Sequence, residues 1–213
     1  ASSGITGLGN EAVTLSDTSL AATVLNTLDD NTTGAVNAAT VTTLTGLGGD
    51  INVSYASSGI TGLGDEAVTL SDITIDGAVL NTLDGNTTGA VNASALTTIS
   101  GAAADANTAY ASNGITGLGN EIASISDVSI TATVLNTLDG NTTGEVNGTN
   151  LTTIKGATAD VNTVYASSGI TNLGNETVTI TDTSVAATVL STLDGNTTGT
   201  VNANTLNTCL LYT

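Results

Sequence analysis

The chain lacks most of the residue types on which catalysis and specific recognition usually depend. Its 213 residues include no His, Pro, Met, Trp or Phe, and only one Cys and one basic residue, Lys155. The absence of His beside a single Cys excludes most transition-metal sites and the Ser–His or Cys–His nucleophile pairs. The lone Cys209 also excludes a disulfide within one chain.

Charge of one sign is almost missing as well. Against the single Lys stand 19 Asp and Glu residues, and the formal net charge is −18. A chain with this charge should repel nucleic acid and anionic lipid surfaces, so we predict no nucleic-acid partner. No run of 18 apolar residues exists, and we therefore expect no membrane insertion. Because only 9% of residues are charged and 44 are Thr, the composition favours an ordered fold over disorder.

One long repeat accounts for the whole chain. The segment Tyr-Ala-Ser-Ser-Gly-Ile at 55–60 returns at 110–115, with Asn113 as the single change, and returns unchanged at 165–170. A fixed period of about 55 residues is typical of repeat arrays, so we predict one array over residues 1–213 rather than separate domains. Since neither end carries a visible polar cap, we expect the array to be an excerpt of a longer protein. The copies are 1–55, 56–110, 111–165 and a shortened 166–213.

Each copy contains two related coils. Two columns of apolar, mostly aliphatic, residues recur with alternating spacings of about 26 and about 29 residues, the length of one coil in many solenoids. Such columns predict about eight coils that stack and line one narrow, continuous core. The first column is Leu25, Ile51, Leu80, Ala106, Leu135, Val161 and Leu190. The second column is Leu15, Val41, Leu70, Leu96, Ile125, Leu151, Ile180 and Leu206.

Within a coil, a strand pattern is followed by a helix pattern. Residues 13–17 alternate between apolar and polar, which predicts a short half-buried strand. Asp17 or Ser19 is then predicted to cap a short helix. The stretch 156–165 predicts a similar helix, with Gly169 as its C-terminal stop. The residues predicted to share one face of the first helix are Leu20, Val24, Leu25 and Leu28.

A strand, a turn and a short helix in 20–29 residues follow the plan of leucine-rich repeats. Residues 13–20 resemble the L-x-L-x-x-N-x-L segment of that family, with Thr18 in the Asn position. The companion segment 39–46 departs from it, because Leu44 stands where Asn would be. The resemblance implies an α/β solenoid, and an all-β solenoid of the parallel β-helix type is the alternative.

One loop alternates oxygen-bearing side chains as calcium loops do. It contains Asp84, Asn86 and Thr88, with Asp139, Asn141 and Thr143 as equivalents in the next copy. Calcium takes six to eight oxygens, usually including several carboxylates, and this loop offers one reliable acid. An Asx turn after the helix is the plainer interpretation. Calcium is therefore an alternative, and we predict no other cofactor.

Acidic residues also recur in columns. Paired carboxylates can hydrolyse glycosides, but an active site is usually unique, whereas these acids return in every copy. Repetition favours a solubility or capping role, so we predict that the chain is not an enzyme. The columns are Glu11, Glu66, Glu121, Glu176 and Asp17, Asp72, Asp127, Asp182.

Three further repeated features have a structural and a functional interpretation. The Thr pairs 42–43, 97–98 and 152–153 are expected to form ladders on one sheet face, which follows from β propensity and is also the pattern of ice-binding solenoids. The Asn-x-Thr sequons at Asn31, Asn86, Asn141 and Asn196 are interpreted as turn residues. Cys209, in a core column, is expected to be an inert small apolar residue.

Three segments carry a wider resemblance: 80–89, 55–61 and 159–165. They resemble the repeat units of very large secreted or cell-surface proteins of marine cyanobacteria and other marine bacteria, over the whole chain. The resemblance implies an extracellular structural or adhesive module, with no catalytic residue. A repeated face that binds calcium, glycans or ice is the alternative. Because uncapped ends expose strand edges, end-to-end self-association is a further expectation.

Overall fold

A computed structural model describes Gly7 and residues 9–211, and short strands alternate there with seven α-helices. The strands are β1 Val13–Thr14, β2 Ser19–Ala21, β3 Val36–Asn37, β4 Thr43–Gly46, β5 Ile60–Thr61, β6 Ala67–Leu70, β7 Thr74–Asp76, β8 Val91–Asn92, β9 Thr98–Gly101, β10 Ile115–Thr116, β11 Ile122–Ile125, β12 Ser129–Thr131, β13 Val146–Asn147, β14 Thr153–Gly156, β15 Ile170–Thr171, β16 Thr177–Ile180, β17 Ser184–Ala186, β18 Val201–Asn202 and β19 Thr208–Leu210. The helices are α1 Ala22–Asp30, α2 Gly48–Ala56, α3 Gly77–Asn86, α4 Ala103–Ala111, α5 Ala132–Asn141, α6 Thr158–Ala166 and α7 Ala187–Asn196.

The helices recur with the predicted alternation of a shorter and a longer step. They begin in turn at Ala22, Gly48, Gly77, Ala103, Ala132, Thr158 and Ala187. All members of the two apolar columns are buried except Leu15, Leu190 and Leu206, which are half-buried near the two ends of the chain. The fold is thus a repeated α/β arrangement. The all-β alternative is wrong for the described residues, because a helix recurs in each coil.

The chain divides into two compact units. The first comprises the described part of 1–96 together with 111–118, and the second comprises 97–110 together with the described part of 119–213. Helices of the first kind in each copy (α1, α3, α5, α7) are called first-type helices here. Helices of the second kind (α2, α4, α6) are called second-type helices.

In the first unit the strands form two parallel sheets. One has the order β1-β3-β5 and the other the order β2-β4-β6-β8-β10. Thr43 is paired with Ser19 on one side and with Ala67 on the other, so each strand pairs with strands of the preceding and the following coil. The long connections that parallel pairing requires are supplied by helices. Helix α2 packs against both α1 and α3.

The second unit repeats this arrangement. Its strands pair in the orders β9-β11-β13-β15, β12-β14-β16-β18 and β17-β19, all parallel. Thr153 pairs with Ser129 and Thr177, which again belong to the preceding and the following coil. Helix α6 packs against α5 and α7.

The start of the first predicted helix is wrong. Helix α1 begins at Ala22, its N-cap is Ala21, and no side chain caps it. Leu20 lies in β2, so it is not on the helical face that contains Leu25. The intervening strand places Asp17 and Ser19 too early in the chain to cap α1. The predicted strand at 13–17 is present as the shorter β1.

The second predicted helix is confirmed as α6, but its stop is not Gly169. The helix ends at Ala166, and Ser167 follows in an extended conformation. Gly169 is needed for another reason: a Cβ there would collide with the carboxylate of Asp139. Close approach, and not a left-handed turn, requires glycine at this position.

The predicted Thr ladders do not form as expected. Thr43 lies between Ser19 and Ala67, and Thr153 between Ser129 and Thr177, so each strand's neighbours come from a different position in the repeat. Thr42 instead donates its hydroxyl to the carbonyl of Thr18 at 3.0 Å. Strands pair between adjacent coils, whereas the 55-residue period relates residues that lie two coils apart. The Thr pairs of successive copies are therefore not direct neighbours in a sheet.

Two further observations concern the surface. Cys209 lies in β19 opposite Val185 and is exposed, although its equivalent Ile154 is fully buried. The expectation of a buried core cysteine is therefore wrong. Within the described part of the chain, every helix is too short or too polar to cross a membrane.

Candidate functional site: polar contacts between coils

The predicted calcium loop lies at the C-terminal end of α3, and its side chains have protein partners. An Asp84 carboxylate oxygen accepts a hydrogen bond from Ser112 Oγ at 2.7 Å. Asn86 Nδ2 donates to Asn52 Oδ1 at 2.9 Å. Thr88 Oγ1 donates to the carbonyl of Gly64 at 3.3 Å. The three predicted ligands thus contact three different segments of neighbouring coils.

The equivalent loop in the second unit has the same partners one copy later. Asp139 accepts from Ser167 Oγ at 2.7 Å, and Asn141 donates to Asn107 Oδ1 at 2.9 Å. Thr143 donates to the carbonyl of Gly119 at 3.2 Å. No group of three or more His, Cys, Asp or Glu residues suited to a metal ion occurs among the described residues. The repeated polar contacts of this loop join adjacent coils.

The glutamate column is buried rather than solvating. Glu66, Glu121 and Glu176 are at most 1% exposed, whereas Glu11 is exposed. In Glu121, Oε2 accepts hydrogen bonds from the backbone N–H groups of Gly119 at 2.8 Å and Asn120 at 3.1 Å. The Oε1 atom of each buried glutamate has no hydrogen-bond partner in the structure. A solubility role is therefore wrong for these three residues.

A tyrosine from the preceding helix donates a hydrogen bond to each buried glutamate. Tyr110 donates its hydroxyl to Glu121 Oε2 at 3.1 Å, and Tyr55 and Tyr165 do the same to Glu66 and Glu176 at 3.0 Å. Burial raises the pKa of Tyr110 to about 12, and the charge of Glu121 adds to this increase, while a hydrogen bond to Thr142 opposes it. The pKa of Tyr55 and of Tyr165 is raised for the same first reason. The neutral phenol is therefore the form that the fold stabilises.

A buried threonine, Thr87, Thr142 or Thr197, completes each of these three clusters. Thr142 Oγ1 donates to the carbonyl of Glu121 at 2.6 Å and accepts from the N–H of Gly144 at 2.9 Å. Gly144 must be glycine, because a Cβ there would collide with the backbone of Glu121. We call the Glu–Tyr–Thr group with its glycine the carboxylate clamp. It holds the end of one helix and two loops together.

The aspartate column has the predicted capping role, but on a different helix. Asp72, Asp127 and Asp182 each accept a hydrogen bond from the first N–H of the preceding second-type helix, at 2.7–2.8 Å. The capped residues are Gly48, Ala103 and Thr158, each 24 residues earlier. A carboxylate at a helix N-terminus satisfies an orphan donor and complements the helix dipole. These aspartates therefore link consecutive coils.

Sequence reasoning missed the tyrosine and threonine of the clamp and the serines that bind the loop aspartates. A signal was present, because the same Tyr-to-Glu spacing of 11 residues occurs in all three clamps. Spacing alone did not reveal contact, because the two residues belong to different elements. In the structure the tyrosine and the glutamate lie in the same cluster.

Comparisons with known proteins identify no relative of this chain. No protein-family model matches the chain, and neither the curated proteins nor the solved structures contain a match.

Proposed function

We propose that this chain is a structural or adhesive module of an extracellular or cell-surface protein. In this proposal it is a leucine-rich-repeat-like solenoid of about eight coils, and it has no catalytic role. The resemblance of segments such as 80–89 to the repeats of giant surface proteins of marine bacteria supports this placement.

The observation that carries the proposal is the use of the repeated polar side chains. In successive copies, equivalent aspartates bind a helix N-terminus or a serine hydroxyl of an adjacent coil, and equivalent glutamates bind backbone N–H groups of their own loop and a tyrosine of the preceding helix. Groups that bind the fold to itself in every copy are not arranged as a unique reacting set. The recurring acids therefore serve cohesion of the array.

The excess of acidic residues is a second observation that supports a role in a surface protein. With a net charge of −18 and one Lys, copies of the array repel one another at long range. This repulsion keeps a protein soluble and limits non-specific association. The buried clamp glutamates contribute to the sequence charge count but not to the solvent-facing surface.

Thermal melting with calcium or with chelator tests the proposal against the alternative of a repeat-face binding module. A site occupied at 100 times its dissociation constant stabilises the folded state by about 2.7 kcal/mol, which is roughly 5–10 °C for a chain of this size. We expect melting temperatures in calcium and in chelator to agree within about 1 °C. A calcium-dependent rise of several degrees that Asp84→Asn and Asp139→Asn abolish would replace the structural proposal with the calcium-binding one.

A glycan arm completes this test. The chain is titrated against immobilised acidic and neutral glycans, with a scrambled-order repeat protein of the same composition as control. We expect no saturable binding beyond that of the control. Saturable binding would favour the alternative, a repeat-face binding module for glycans, over the structural proposal.

A further inference from the structure

The sequence contains two Asn-Gly steps, Asn113–Gly114 and Asn147–Gly148, and each departs from the repeat. Asparagine is among the thermolabile residues. A following glycine makes loss of its amide easiest, because glycine has no Cβ to hinder attack by its backbone nitrogen. Asn113 replaces a serine of the other copies, and Gly148 replaces an alanine. The equivalents are Ser3, Ser58 and Ser168 for Asn113, and Ala38, Ala93 and Ala203 for Gly148.

Asn113 lies in an exposed bend directly after α4. Within the described residues, no hydrogen bond holds its side chain. Rotation about its χ1 angle is therefore free to bring the amide carbon Cγ toward the backbone nitrogen of Gly114. The N–H of Gly114 donates to Ser112 Oγ at 3.0 Å. This partner is a half-buried side chain and not a strand, so water can replace it.

The fold requires the glycine that makes this step reactive. A Cβ at Gly114 would collide with the carboxylate of Asp84. The same carboxylate accepts from Ser112 Oγ at 2.7 Å, and the carbonyl of Gly114 accepts from the N–H of Val91 at 2.8 Å. Gly114 thus belongs to a contact between coils of the first unit. Asparagine at position 113 therefore always precedes an unsubstituted, approachable backbone nitrogen.

The second Asn-Gly step is held at both reacting groups. Asn147 lies in β13, and its Oδ1 accepts from the N–H of Thr149 at 3.1 Å, from Thr149 Oγ1 at 2.6 Å and from Asn172 Nδ2 at 2.9 Å. Gly148 is buried, and its N–H donates to the carbonyl of Thr171 at 3.0 Å. The amide and the nitrogen can therefore meet only after this part of the sheet opens locally.

We propose that Asn113 is a site of spontaneous deamidation in the folded protein, with water as the co-reactant, and that Asn147 is protected. The nitrogen of Gly114 loses its proton to hydroxide and forms a bond to Cγ of Asn113. The bond from Cγ to Nδ2 breaks, and Nδ2 takes up a proton and leaves as ammonia. The cyclic imide then adds one water molecule. Opening on the Cγ side gives aspartate, and opening on the backbone side gives isoaspartate.

Both products change the contact that Gly114 makes. Each adds a carboxylate at position 113, beside the residue against which the carboxylate of Asp84 packs. Isoaspartate also inserts a methylene group into the main chain between Ser112 and Gly114, which bind Asp84 and Val91. The reaction therefore weakens cohesion between coils of the first unit. This inference goes beyond the proposed function and does not depend on it.

Mass spectrometry of the ageing full chain tests the proposal. The protein is kept in warm, mildly alkaline buffer below its melting temperature, and in the same buffer with urea that unfolds it. Digested samples are fragmented by electron transfer, which separates asparagine, aspartate and isoaspartate at positions 113 and 147. In the folded chain we expect Asn113 to react at least about tenfold faster than Asn147. In urea the two rates should become similar, because the structural protection of Asn147 is lost.

Equal rates at Asn113 and Asn147 in the folded chain, or faster reaction at Asn147, would overturn the proposal. The structural consequence has its own readout. A fully reacted sample should melt roughly 2–4 °C below the fresh protein, as expected for the loss of one hydrogen bond in a chain of this size. Asn113→Ser, the residue of the other copies, is the matched control and should melt at the same temperature before and after ageing. A reacted parent that melts like the fresh parent would refute the loss of cohesion.

Discussion

Removing one hydroxyl from the carboxylate clamp should destabilise the second unit measurably. Tyr110→Phe keeps the ring and its packing but deletes the hydrogen bond to Glu121 Oε2 at 3.1 Å. Glu121 is 1% exposed and its Oε1 atom already has no hydrogen-bond partner, so water cannot readily replace the phenol at Oε2. A hydrogen bond to a charged group is worth about 1.5–3 kcal/mol. Because the tyrosine is half-buried, we expect the lower end, about 1.5 kcal/mol.

Thermal and urea unfolding followed by circular dichroism measure this change. For a chain of this size, about 1.5 kcal/mol corresponds to a fall of roughly 3–6 °C in melting temperature. Glu11→Gln is the matched control, since Glu11 belongs to the same column but is exposed. We expect its melting temperature to stay within about 1 °C of the parent. If Tyr110→Phe is as stable as the parent within about 0.5 kcal/mol, the clamp contributes no cohesion and the reasoning fails.

The clamp also predicts a dependence on alkaline pH. The pKa of Tyr110 is raised to about 12 in the folded protein from an ordinary value of 10.0. A raised folded-state pKa gives stability that is fully present below pH 10 and is lost as pH rises toward 12. We expect the melting temperature to fall over this window in the parent. The fall should be smaller in a Tyr55→Phe, Tyr110→Phe, Tyr165→Phe variant, and an equal fall in both proteins would contradict the assignment.

Two other perturbations test separate contacts between coils. Asp127→Ala removes the N-terminal cap of α4 and should cost about 0.5–2 kcal/mol in urea unfolding. Asp17→Ala, at an exposed member of the same column, should change stability by less than about 0.5 kcal/mol; equal losses would argue against capping. Gly89→Ala forces a Cβ into the backbone of Glu66 and should cost at least about 1–3 kcal/mol, whereas Gly85→Ala, with open space around it in α3, should be neutral or stabilising by up to about 1 kcal/mol. A destabilised Gly85→Ala beside an unaffected Gly89→Ala would reverse this account.

The spacing of the helices along the chain and the residues of the core could be predicted from the sequence because both depend on the repeat period. Residues such as Leu80 and Leu135 recur at equivalent positions of successive copies, and both are fully buried. Burial of one aliphatic face is what fixes a short helix in place. The repeat period therefore predicted this part of the fold correctly.

The strand register could not be predicted in the same way. The period of the copies identifies equivalent residues, but it does not say which strands become neighbours. Thr43 pairs with Ala67, a residue from a different position in the repeat. Pairing depends on how the chain crosses between strands, which is a tertiary property. The prediction of Thr ladders was wrong for this reason.

The partners of the acidic residues were equally hidden. Asp127 caps a helix that begins 24 residues earlier, and Glu121 is buried beneath a tyrosine from another element. A carboxylate in a column suggests solvent exposure when nothing in the sequence identifies a donor. The fold of the local loop supplies the N–H groups of Gly119 and Asn120, and helix packing supplies the Tyr110 hydroxyl; together these donors make burial of Glu121 tolerable.

The most direct test of the central claim is a double-mutant cycle on the contact between Asp139 and Ser167, measured in chelator and again in calcium. The two side chains lie in adjacent coils, 2.7 Å apart at Oδ2 and Oγ, and Asp139 is also a predicted calcium ligand. The proteins are the parent, Asp139→Asn, Ser167→Ala and the double variant. If the repeated polar side chains bind coils together, the coupling energy will be about 1–2 kcal/mol and the same in both buffers. A coupling near zero in chelator, with stability that Asp139 confers only in calcium, would contradict the account.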